Sequence, residues 1–297
     1  MEPKNILIAL LIVIAVVFHA FWYVTERARR SGKQGSAKPK PLALGIAFIA
    51  NFFDTLGIGS FATTTSMSKL WQVMPDEKIP GTLNVGYVMA TVVQAVIFMT
   101  IIEVDFLTLV SIIGAAVLGA FLGAGVVSGF SRRQVQIGMG TALLGASAWM
   151  VLSLSGQGPA PGEALGLTGA KLGLAVGISM VLGALMMLGI GFYGPCLIMI
   201  SLLGMDPRVS YPIMMGACAF LMPAGSVQFV RKGSYDLSTA ISFLIAGPLA
   251  VLIAAPLVDA IPLFYLRILV LVVVLYTAIR MLRAAAEEKA AAARVSA

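Results

Sequence analysis

Asn51-Phe52-Phe53-Asp54-Thr55-Leu56-Gly57-Ile58-Gly59-Ser60 interrupts one long apolar run of this chain, and Gly189-Ile190-Gly191-Phe192 interrupts another. Glycine costs a helix about 1 kcal/mol against alanine. In lipid, unravelled backbone is tolerated only where protein buries it or where it lines a cavity. Two such breaks at equivalent places predict a transporter built of two related halves, with its binding site at the breaks.

Outward from the breaks, the halves keep matching. Gly57, Gly59 and Pro75 pair with Gly189, Gly191 and Pro207 at one constant offset. Val104-Asp105-Phe106-Leu107-Thr108 resembles Tyr235-Asp236-Leu237-Ser238-Thr239 at an offset one residue shorter. An ordered series of this kind indicates duplication. Apolar segments are expected at about 5–24, 42–72 (broken at 54–60), 80–102, 106–130, 134–154, 168–203 (broken), 210–230, 237–258 and 262–283. The chain therefore divides into an N-terminal anchor and basic linker (1–41), a first repeat (42–154), a Gly/Pro-rich hinge (155–167), a second repeat (168–283) and an Ala-rich charged tail (284–297), read as a frayed helical end.

The composition agrees. Of 297 residues, 59% are hydrophobic and 11% charged, and the mean hydropathy is +0.98; a soluble domain carries about 25% charged residues. This is an all-α polytopic membrane protein. Its net charge of +7 is no sign of nucleic acid, because Lys and Arg mark cytoplasmic loops. The segment Ile6–Val24 is followed, not preceded, by most of its flanking charge and shows no small-residue cleavage site, so it reads as a permanent anchor with its N-terminus outside.

Each broken element exceeds the ~20 residues one span needs. If both are re-entrant hairpins, all Lys and Arg except Lys4, Lys171, Arg208 and Arg267 fall on the cytoplasmic side, the C-terminus among them. If both cross fully, Lys69, Lys78, Arg132 and Arg133 move out. The positive-inside bias favours hairpins. A hairpin plus three spans is an odd unit, so the second four-element repeat is expected to be inverted.

A half-helix leaving such a break starts with unpaired N–H groups at the positive end of its dipole. Ser60 is placed to cap the first, and Thr63, Thr64 and Thr65 add hydroxyls; Gly194-Pro195-Cys196 opens the second, with Pro195 suited to the first helical position. Two such ends converging make an anion site that needs no lysine. The candidate ligands are Gly57, Gly59, Ser60, Thr63, Thr64, Asn84, Gln94, Gly191, Tyr193, Gly194, Cys196 and Gln228. Asn84, Gln94 and Gln228, with Ser226, equally suit a role joining helices by hydrogen bonds. Asp54 is the only carboxylate well inside an apolar element; it suits either proton coupling or a cap on the broken backbone. His19 lies outside the repeats, the methionines read as packing, and Gly114, Gly119, Gly123 and Gly125 mark close helix crossings. No Walker, HExxH or Cys/His metal pattern occurs, so neither metal nor cofactor is expected.

The stretch Asn51–Phe98 resembles the TauE/SafE family of membrane proteins, often called sulfite exporters, and the resemblance extends over about residues 42–283. It implies movement of sulfite, a sulfonate or another small sulfur anion across the bacterial inner membrane, and it points the Gly57–Ser60 and Gly189–Pro195 regions toward the pore. Phe192 and Tyr193 stand where such breaks commonly have smaller residues, so the two halves of the site are not expected to be equivalent. The leading expectation is a secondary transporter exporting such an anion, not an enzyme. Its partners are the lipid bilayer, the anion and, in a homodimer, a second copy. Proton-coupled uptake of an organic sulfonate or carboxylate through Asp54, a membrane enzyme using Cys196, and a passive anion channel remain as alternatives.

Overall fold

The computed structural model describes residues 3–30, 38–126, 132–155, 162–187, 191–260 and 262–295. The described chain is helical: α1 (Pro3–Arg30), α2 (Pro41–Thr55), α3 (Ser60–Leu70), α4 (Ile79–Gly86), α5 (Val88–Ile101), α6 (Phe106–Val126), α7 (Arg132–Leu154), α8 (Gly169–Met187), α9 (Tyr193–Leu202), α10 (Ser210–Lys232), α11 (Leu237–Ala260) and α12 (Leu263–Val295). Five helical stretches among the described residues are long and apolar enough to cross a membrane, at 3–29, 76–101, 169–186, 207–232 and 237–258. The expected run over 80–102 is two helices, because the chain turns at Tyr87. The tail expected to be a frayed helical end is helical as far as Val295, the last described residue, on a sequence of strong helix formers with neither Gly nor Pro.

Local chemistry sets the ends. Pro41 opens α2, where its missing N–H costs nothing, and Gly233 closes α10 at φ 67°. Asp105 and Asp236 cap α6 and α11 alike, each accepting from the N–H and hydroxyl of the threonine three residues on. The Thr108 bonds hold the Asp105 carboxyl below its ordinary range. At Asp236, partial burial works the other way, but the Thr239 and Lys40 bonds outweigh it and the carboxyl again sits low.

Contacts at the loop ends fix the topology. Lys40, just before α2, donates from Nζ to Val73 O beyond α3 (3.0 Å) and pairs with Asp236 between α10 and α11 (2.9 Å). The α2–α3 pair therefore returns to the face from which it starts. On the other face, Lys171 in the first turn of α8 donates to Leu203 O just after α9 (3.0 Å). Ala164 accepts from Asp206 N (3.0 Å) and Asp105 N donates to Leu165 O (2.9 Å). So α8–α9 is also a hairpin, starting from the opposite face, and the repeats are inverted. Of the Gly/Pro-rich hinge expected at 155–167, residues 156–161 lie outside the described residues, and Ala164 and Leu165 make the bonds just given.

Packing repeats the duplication. α2 packs on α11 as α8 packs on α6, while α5 meets α10 and α7 meets α12 across the pseudo-twofold axis. At the α6–α8 crossing, Gly119 faces the Met180 backbone and Gly183 faces that of Ala116, with no room for a Cβ at either. Gly114 has open space around it and plays no such part. α1 stands outside the repeats, packed on α10 and α5. Its inner end is clamped: Trp22 Nε1 donates to Tyr235 Oη (2.8 Å), Tyr235 Oη donates to Glu26, and Arg29 donates to the terminal carbonyls Val230 and Arg231 of α10.

Candidate substrate site between the two breaks

The first break is held open by backbone that side chains resist: Gly57 has φ 97° and Gly59 φ 85°. Across it the chain leaves α2 and re-enters helix at Ser60. Ser60 does not cap α3 with its hydroxyl, as expected from sequence. Its N–H donates instead to Asp54 Oδ1, so a carboxylate from the end of α2 satisfies the first orphan donor of α3. Asp54 is 4% exposed, and no Lys or Arg among the described residues pairs with it.

Gln94 of α5 ties the two breaks together. Both its amide hydrogens are used, toward Asp54 Oδ2 (2.9 Å) and Thr55 Oγ1 (3.0 Å), and its Oε1 accepts from Tyr193 Oη (3.1 Å) at the start of α9. The second half-helix starts at Tyr193, so Pro195 is its third residue and not its first; it still lies in the turn whose N–H groups lack helical acceptors. A Cβ on Gly194 would meet Thr277 Oγ1 at 2.8 Å, so α9 lies directly against α12 here.

Between these tips is a cavity of about 150 Å³. Six of the sequence-predicted residues line it: Asp54, Gly59, Ser60, Gly191, Tyr193 and Gly194. Gln94 stands behind them. The others do not converge there. Gly57 is turned toward Tyr211, Leu197 and Met214. Thr63 bonds back to Gly59 O, and Thr64 is engaged with Tyr87 Oη (2.8 Å); of the expected hydroxyl cluster, Thr65 lines the space. Asn84 is buried on α4, with Nδ2 on Pro80 O, and does not line the cavity. Gln228 is exposed at the end of α10. Cys196 is fully buried in the body of α9, and Cys218 of α10 takes the lining position. Gly189 lies outside the described residues.

Sequence reasoning missed the far wall. Gln136 of α7 and Tyr276, Thr277, Arg280 and Met281 of α12 all line the cavity. Arg280, one of the charges that the sequence assigns to the cytoplasmic side, lines the cavity and donates to Ser66 Oγ of α3. The signal was present: Met281 and Leu282 extend the apolar run beyond it. Gln136 is 4% exposed with Oε1 unpartnered. The lining continues along Met281 and Ala284 toward the face that holds Lys40 and Asp236. Toward the other face α9 packs on both α7 and α12, whereas α3 meets α12 through the Arg280–Ser66 bond.

The family model for the sulfite exporter TauE/SafE matches the chain twice, over residues 3–150 and 103–281. The chain belongs to the TauE/SafE sulfite exporter family. The overlapping TauE/SafE matches fit the duplication that the helix packing displays. As a member of a transporter family it is a multi-pass membrane transporter and not an enzyme. No curated protein and no solved structure matches it at a level that shows relationship.

Proposed function

We propose that this chain exports sulfite or a related small organosulfur anion across the bacterial inner membrane, as a secondary transporter, and that the cavity between the two breaks is its binding site. The observation that carries the reading is the meeting of two half-helix N-termini, at Ser60 and Tyr193, with the guanidinium of Arg280 in one buried space. Helix N-termini offer partial positive charge and free N–H groups, and arginine offers a planar fork that fits oxyanions. The volume of about 150 Å³ far exceeds the ~10–15 Å³ that a water needs. It holds a four-heavy-atom oxyanion with its waters, or a short sulfonate.

The direction follows from charge. On this reading the face with Lys40, Lys69, Lys78, Arg231 and Lys232 is the cytoplasmic one, which the positive-inside rule supports, with the N-terminus outside and the C-terminus inside. The cavity lining leads to that face, so an anion is loaded from the cell. Leaving a negative interior gains it about 2.3 kcal/mol per charge per 100 mV.

In proteoliposomes, trapped sulfite is expected to leave saturably through the purified protein. Arg280→Gln removes a charge-assisted hydrogen bond of about 1.5–3 kcal/mol, and the half-saturation concentration should rise about 10- to 100-fold. Unchanged half-saturation removes Arg280 from the site; absence of flux for sulfite and for small sulfonates rejects the function.

A further inference from the structure

The cradle at the head of α3 already holds an anion. Asp54 Oδ1 accepts from Ser60 N, and Oδ2 accepts from Gln94 Nε2 at 2.9 Å. Both the carboxylate and Ser60 line the cavity. A buried carboxylate and a substrate anion on the same donors repel strongly at low dielectric, and each disfavours the other's charge. Arg280 is engaged with Ser66 and makes no ion pair with Asp54 among the described residues.

From this geometry we infer that Asp54 is a tethered competitor for the substrate, released from the Ser60 amide when it takes up a proton, so that each anion bound brings one proton into the site. This rests on the anion reading of the cavity. The proton comes from water along the route past Gln136 and Ala284 and forms an O–H on the Asp54 carboxyl. The Ser60 N–H is then free for a substrate oxygen, and the new O–H is a second donor beside it. Gln94 keeps its bond from Tyr193 and so reports the exchange to the other break.

The titratable and charged groups around Asp54 do not take its place. They are Tyr87 at the head of α5, Tyr193 and Cys196 on α9, Tyr211 and Cys218 on α10, and Arg280 on α12. Phenols and thiols ordinarily titrate above pH 8, and arginine stays charged. The carboxyl is the group among these that ordinarily changes charge in the acidic range.

The test is sulfite binding to the full-length protein in detergent, by calorimetry in two buffers of different ionisation enthalpy. Sulfite's own titration contributes equally to wild type and Asp54→Asn, so their difference counts the proton at Asp54. One extra proton per anion is expected in the wild type, and its affinity should fall up to tenfold more per pH unit than that of the variant. Asp54→Ser replaces Asp54→Asn if the latter does not fold. Binding with equal proton uptake in both proteins overturns the linkage and leaves the transport reading standing. No binding by either protein overturns both.

Discussion

Two glycines of the breaks fail in different ways when a methyl group is added. Gly59 has φ 85° and nothing within 4 Å of a built Cβ, so alanine there meets only backbone strain, about 1–3 kcal/mol. Gly59→Ala should lower the melting temperature in detergent, whereas Gly173→Ala, in a helix and equally uncrowded, should leave it level or raise it slightly. At Gly194 the obstacle is Thr277; Gly194→Val should be destabilising, and Thr277→Ala should partly restore it. At this scale the sequence was informative where the signal is local. A Gly-x-Gly in an apolar run can be read without a partner, which is why the sequence points to Gly59, Ser60, Gly191 and Tyr193, all of which line the cavity. Arg280 and Gln136 were not, because their inward direction depends on how α7 and α12 lie against α3. Asn84 and Gln228 were chosen for being polar in apolar company, and polarity says nothing about which wall of a helix faces a cavity.

Between elements, Lys40 is tied to Asp236, and Thr82 Oγ1 accepts from Asp236 N at 2.9 Å. The folded Asp236 carboxyl sits below its ordinary value of 3.8, so its contribution is complete above that value and is lost as pH falls through the lower, folded one. Melting temperature should therefore hold from neutral pH to about pH 5 and fall below about pH 4. Asp236→Asn should melt lower at pH 7, by the equivalent of about 1 kcal/mol for the weakened cap, with a shallower acid decline. The inverted counterpart differs: Lys171 reaches Leu203 O, with no ion pair to Asp105 among the described residues. Asp105 and Asp236 were recognised as matching turns from the sequence alone. The imbalance between their partners was not, because it depends on side-chain reach across a tertiary contact.

For the molecule as a whole, the proposed transport reading makes a cavity that leads to one face, with α9 packed against α7 and α12, one end of an alternating cycle. On that reading, inverted repeats imply the other end: α9 parting from α7 and α12 while α3 packs further onto them than the Arg280–Ser66 contact. In a Cys218→Ala background, a cysteine at Thr65 or Ala284 should react with an impermeant maleimide from the cytoplasmic face and be shielded by sulfite. Reaction from the outer face alone would reverse the assignment of sides. The duplication and hairpin topology were legible beforehand because charge placement and repeat offset are global properties of a sequence. The location of the cavity mouth was not, since it depends on how α3 and α9 each lie against α7 and α12.

α12 is a single shaft of 33 residues, about 50 Å long, of which the hydrocarbon layer accommodates about 30 Å. Neither glycine nor proline interrupts it, so it contains no joint at which a twist would dissipate. The segment beyond Arg283 and the guanidinium of Arg280 belong to the same rigid axle. A perturbation applied beyond Arg283 is therefore expected to be felt at the arginine that lines the cavity.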